Sequence, residues 1–154
     1  DVANIAVFQP VAGKTKSELR RKEPGMRILV AYNGSSAAKR ALTIAQRRAR
    51  ALSGELLICS SADGADLQED TEATLKNDLR EAEMLCQACG IRCNTHLAIG
   101  KRTAAEDIIA CANEEAVDEI VVGIKKRSQL GKMIFGSTAR MLIMQAPCPV
   151  LTVK

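Results

Sequence analysis

The 154 residues hold no Trp, one Tyr, two Phe and a single His. So few rings exclude the aromatic stacking platforms on which single-stranded nucleic acid is bound. One histidine excludes a multi-histidine metal cluster. No apolar run approaches the roughly 20 residues that a membrane-crossing helix needs. Proline is also scarce, at four residues, and three of these close segments rather than interrupt them: Pro10, Pro147 and Pro149. Neither charge dominates, because 22 Lys and Arg face 18 Asp and Glu, leaving a formal +4. Mixed charge of that size favours solubility and a mild attraction for anions, and specifies no nucleic-acid partner. The six cysteines, with no signal-peptide pattern before them, read as reduced small hydrophobes, which implies a cytoplasmic protein.

What is abundant is Leu, Ile, Val and Ala arranged in alternating strand and helix patterns. Residues 1–25 stand apart as an N-terminal arm or expression remnant: Ile5 to Phe8 reads as a short edge strand, and Gly13 to Gly25 is polar and basic. Gly13-Lys14-Thr15 resembles half a phosphate loop, but Phe8 occupies the place of the required first glycine. From residue 26 the order is regular. Strands are expected at Arg27–Tyr32, Glu55–Ser60, Ile91–Ala98, Asp118–Gly123 and Val150–Val153. Helices are expected after Ser36, before Cys89, after Thr103 and from Ser137, with Ser137 as a helix cap and Thr103 with Glu106 as a capping box. Five strands alternating with four helices predict an α/β domain over 26–154, a doubly wound and mostly parallel sheet with helices on both faces.

The stretch from Glu119 to Thr138 carries the functional signal, joining an apolar strand to a Gly-Ser-Thr helix start. In an open α/β sheet, ligands sit beyond the strand carboxyl ends where the strand order reverses. The turns after Tyr32 and Val122 flank such a crevice, and unpaired amides at Gly136, Ser137 and Thr138 suit phosphate oxygens. Cys86, Cys89 and Cys93, with His96 nearby, superficially offer four soft ligands. Their positions at a helix end, a turn and a strand start predict divergent side chains and no zinc site. No Ser-His-acid or Cys-His pattern stands out, so the residues favour a binding or regulatory protein over an enzyme, with slow ATP hydrolysis as the most that chemistry would support.

Taken together, Ile28-Leu-Val-Ala-Tyr-Asn-Gly-Ser35, Asp118-Glu-Ile-Val-Val-Gly123, Gly136-Ser137-Thr138 and Ala146-Pro-Cys-Pro-Val-Leu-Thr-Val153 resemble the universal stress protein family over residues 26–154. The resemblance implies a five-stranded sheet of order 3-2-1-4-5 and a homodimer through the C-terminal strand. It also implies ATP or another adenine nucleotide, with or without Mg, as ligand. ATP-binding members carry a Gly-x-x-Gly loop and, further on, Gly-Ser or Gly-Thr; here Gly123 matches the first glycine, Lys126 falls on the second, and Gly136-Ser137 match the later pair. Lys126 either obstructs the loop with its stem or, with Lys125, Arg127 and Lys132, draws phosphate to the rim. Asn33 stands where the family commonly has aspartate, and keeps an amide but not a charge. Ile58 or Cys59 is expected on the adenine wall.

The resemblance thus implies a stress-associated regulatory homodimer that senses nucleotide. The alternative is a nucleotide-independent dimer whose altered pocket leaves it an interaction protein for an unknown regulatory partner. A nucleic-acid role through Lys14, Lys16, Arg20, Arg21 and Lys22 lacks any base-reading module.

Overall fold

The structure is a computed structural model that describes residues 5–6, 25–64, 68–125 and 135–154. Lys126, Arg127, Lys132 and the Gly13-Lys14-Thr15 stretch lie outside the described residues, as do the basic positions between Lys14 and Lys22. The strands are β1 (Ile5–Ala6), β2 (Arg27–Ala31), β3 (Glu55–Asp63), β4 (Cys93–Gly100), β5 (Glu119–Gly123) and β6 (Val150–Val153). The helices are α1 (Ser36–Ala51), α2 (Glu69–Ala88), α3 (Ala104–Glu114) and α4 (Ser137–Gln145).

The sheet order is β1-β6-β5-β2-β3-β4. Strands β2 to β6 are parallel to one another, and counting them alone gives the expected order 3-2-1-4-5. The short β1 runs antiparallel on the outer edge of β6, with Ile5 opposite Leu151 and Ala6 opposite Val150. It is the first half of the edge strand expected at Ile5–Phe8; the second half lies outside the described residues.

Strand alternation divides the core between two faces. Ile28, Val30, Leu56, Ile58, Val121 and Leu151 pack with Ala38, Ala41 and Ala45 of α1 and with Leu79, Ala82 and Cys86 of α2. Leu29, Leu57, Cys59, Ile120, Val122 and Val150 face the other way, onto Ile108 and Cys111 of α3 and onto Ala139 and Leu142 of α4. With so few rings, close approach is achieved through alanine: Ala41 and Ala45 are wholly buried where α1 meets the sheet. A bidentate ion pair pins this contact, Arg48 Nε and Nη2 each donating to Glu119 at 2.6 Å. A capping box starts α3 as expected, with the Thr103 side chain accepting from the Glu106 amide and Glu106 reaching back to Thr103.

One boundary differs in an informative way. β3 continues three residues past the expected stop at Ser60, because β4 pairs with it as far as Asp63 opposite Gly100. Pairing with a neighbour sustains an extended chain whose own polar sequence, Ser60-Ser61-Ala62-Asp63, resembles a turn. The extension carries Ser61 to the carboxyl end of the sheet.

Candidate functional site

A cleft of about 330 Å³ opens there, between the ends of β2 and β5, where the sheet order reverses. Ala31, Tyr32, Asn33 and Ser35 line it from β2 and the following turn, Ala37 and Ala38 from α1, and Cys59 and Ser61 from β3. Ala104 and Ile108 of α3 close another side, with Val122 to Lys125 after β5 and Gly136 to Ala139 at the start of α4. The sequence-expected Asn33, Val122, Gly123, Gly136, Ser137 and Thr138 are therefore brought together, although 105 residues separate Asn33 from Thr138 (138 − 33).

Ile58 is not among the lining residues. Its side chain is fully buried on the face covered by α1 and α2, and the adjacent Cys59 faces the cleft instead. Successive strand residues point to opposite faces, so only one of the two alternatives can reach a given side. The register of β2 against β3, with Ala31 opposite Cys59, selects it.

Each polar group at the cleft has a local cause. Ser35 is the N-cap of α1, its Oγ accepting from the Ala38 amide at 3.2 Å. Its own amide donates to Asn33 Oδ1 at 3.2 Å, closing an Asx turn. With the oxygen of Asn33 holding the turn, its NH₂ group is what the residue offers to a ligand. Gly34 has φ +72, a left-handed conformation that side chains disfavour, and the end of the Asp78 side chain of α2 lies against it.

At α4 the residue in the N-cap position is Gly136, not Ser137. Ser137 is the first helical residue and is exposed, so its hydroxyl is not committed to capping. Gly136 has no side chain with which to satisfy the first-turn amides, and a Cβ there would find no atom within 4 Å. Among the described residues that combination leaves an open, electropositive helix start facing the cleft. Gly123 is different. A Cβ on it would strike the Ala37 carbonyl and lie 2.9 Å from Ala38 N, so its bareness serves the contact between β5 and α1. Exposed Lys125 stands at the mouth.

Beneath the cleft Cys59 and Cys111 are buried and hydrogen-bonded; the Cys111 partner, burial and the nearby Asp107 push the Cys59 thiol up, so it stays protonated. On the opposite face Cys86 and Cys93 meet rather than diverge as the spacing suggested. Hydrogen bonds from Cys93 and from Gln46 Nε2, the latter at 3.5 Å, hold Cys86 down to about 7. The strand start at Cys93 is drawn over the end of α2 by the sheet, which sequence spacing cannot reveal. Cys89 is exposed, and among the described residues no three His, Cys, Asp or Glu side chains gather to hold a metal. Sequence reasoning missed Ser61 and Asp107, whose side chains meet at 2.6 Å. No local signal marked either of them, because Ser61 lies in a polar run that resembles a turn and is held extended only by its pairing with β4. No helix among the described residues is long and apolar enough to cross a membrane.

Residues 26–154 match the universal stress protein family. A Thermus aquaticus universal stress protein is 34% identical over 134 residues, covering 82% of this chain and 97% of that relative. Among solved structures, an Archaeoglobus fulgidus universal stress protein superposes with a TM-score of 0.77 at 33% identity, over 84% of this chain and 98% of the other. A second from the same organism, solved in complex with dAMP, gives 0.72 at 28% identity with the same coverage.

Proposed function

The chain belongs to the universal stress protein family, and on that premise we propose that it binds ATP or another adenine nucleotide in the cleft and acts as a stress-associated regulator. The observation that carries the proposal is the pairing of two unlike walls in one cleft. Cys59, Ile108 and Val122 offer an apolar surface for a base, while the uncapped start of α4 and Lys125 offer amides and a charge for phosphate. The dAMP complex of the Archaeoglobus fulgidus relative supports the ligand class.

The described lining contains no Asp or Glu. Among the described residues a nucleotide here would meet neither a carboxylate base nor a carboxylate metal ligand, and on that basis we assign the site to sensing rather than to turnover. Magnesium, if it takes part, would arrive on the phosphates. The decisive test is calorimetric titration with ATP and AMP, with and without Mg. Saturable heat for at least one nucleotide, accompanied by thermal stabilisation, is the expected result. Folded protein that shows neither at millimolar nucleotide overturns the proposal.

The regulatory unit we propose is a homodimer joined through β6. Among the described residues β1 covers this edge opposite Leu151 and Val150. A strand from a second copy would replace or extend that short pairing and protect the edge. Native mass measurement reads the outcome directly: a monomer at micromolar concentration refutes it.

A further inference from the structure

We propose that Ser61, positioned by Asp107, makes the cleft select a nucleobase edge that donates a hydrogen bond, such as an exocyclic amine, over one that presents a carbonyl. The inference rests on the reading that the cleft takes a nucleotide, and it assigns which base is preferred and why.

Ser61 and Cys59 are two positions apart on β3, so both face the cleft. Ser61 Oγ donates to Asp107 Oδ2 at 2.6 Å. Asp107 sits in the first turn of α3 and is 8% exposed, so little water competes for the contact. A serine hydroxyl has one proton, and a carboxylate has none to return. With that proton committed to Asp107, Ser61 turns only lone pairs towards the cleft. The neighbouring Cys59 Sγ donates to the Ser60 carbonyl at 4.0 Å.

The phosphate end of a ligand belongs at Gly136, Ser137 and Lys125, which places the base against Cys59 and Ile108, beside Ser61. An amino group on the base finds an acceptor there, reinforced by the charge of Asp107. A carbonyl in the same place sets lone pairs against lone pairs and leaves the half-buried Ser61 Oγ without a donor.

AMP and inosine monophosphate test this, because they share ribose and phosphate and differ at purine position 6 and in the proton on N1, with purine riboside monophosphate, which lacks the amine and keeps N1 unprotonated, as the control for that proton. The wild-type chain should bind AMP at least about tenfold more tightly, the ratio that one such hydrogen bond supports. In Asp107→Asn the amide NH₂ can donate to Ser61 Oγ and release its proton towards the cleft, so the AMP preference should collapse or invert as inosine monophosphate gains. Ser61→Ala should bring the two ligands to within about threefold of each other. Circular dichroism melts establish that each variant is folded, and the wild-type comparison stands even if one is not. Equal affinities in the wild type overturn base selection while leaving nucleotide binding intact. Binding of neither ligand overturns both readings. An Asp107→Asn variant that weakens AMP and inosine monophosphate equally shows only a structural role and also refutes the proposal.

Discussion

Gly123→Ala adds one methyl group at the point where β5 passes α1, and the structure leaves nowhere for it to go. The new carbon would lie 2.9 Å from Ala38 N and closer still to the Ala37 carbonyl, well inside the roughly 3.5 Å at which unbonded heavy atoms are comfortable. Neither side yields easily. The start of α1 is held by the Ser35 cap and by the Lys39 amide bonded to Ser35 O at 2.9 Å. The end of β5 is held by its pairing with Val153 and by the Ile124 amide bonded to Val153 O at 2.7 Å. Separating two pinned backbones by at least half an ångström falls at the upper end of overpacking costs, about 3 kcal/mol. For a chain of this size that corresponds to a melting temperature lower by about 9 °C. Gly136→Ala is the matched control: a Cβ there meets nothing within 4 Å, and the change should cost less than about 1 kcal/mol. Thermal melts followed by circular dichroism compare the two. If Gly123→Ala melts within about 2 °C of wild type, or Gly136→Ala is equally damaging, the assignment of Gly123 to helix contact is wrong.

Two further outcomes follow from the ionisable groups. Arg48→Ala strips a buried carboxylate, Glu119 at 7% exposure, of both its hydrogen bonds. Because Arg48 is itself partly solvated, the cost should be about 2 kcal/mol, and Arg48→Met with Glu119→Leu should recover much of it in urea titrations. Burial, then Asp118 and Glu119, push the Cys148 thiol up to about 12. A raised folded-state pKa stabilises fully below the unfolded value of about 9 and is lost as pH rises through the folded one, so stability should fall across pH 9–12. The slope from this one group is at most about 1.4 kcal/mol per pH unit, and Cys148→Ala should flatten it in denaturation curves.

Local pattern made most of the architecture legible because strands and helices announce themselves through their own periodicity. The capping box at Thr103 and Glu106 is an example: both partners lie within one turn of chain, and the geometry follows from spacing. Contacts across the fold carried no such signal. Glu119 resembles a solvated charge at the start of a strand, and only the packing of α1 shows that Arg48, 71 residues away, neutralises it. Ser61 resembles a loop residue until β4 is laid beside β3. Asn33, Gly136 and Ser137 could be placed beside the cleft from sequence because each sits at a strand end or helix start, places that sequence can mark. Ile58 was not separable from Cys59, since strand alternation is visible along the chain but its phase relative to the cleft is not.

By itself, then, the sequence determined the order and kind of the elements, the two-faced sheet and the general place of a cleft at residues 119–138. Those properties come from apolar periodicity and helix-end chemistry, which act between near neighbours in the chain. Tertiary structure alone decided what individual residues in that stretch and around it do. Gly136 leaves the start of α4 without a capping side chain, whereas Gly123 makes room for α1, and the same absent side chain has different consequences because different atoms stand opposite it. Ser61 becomes an acceptor only because Asp107, 46 residues on, takes its proton. Which neighbour a group meets is a property of the closed fold.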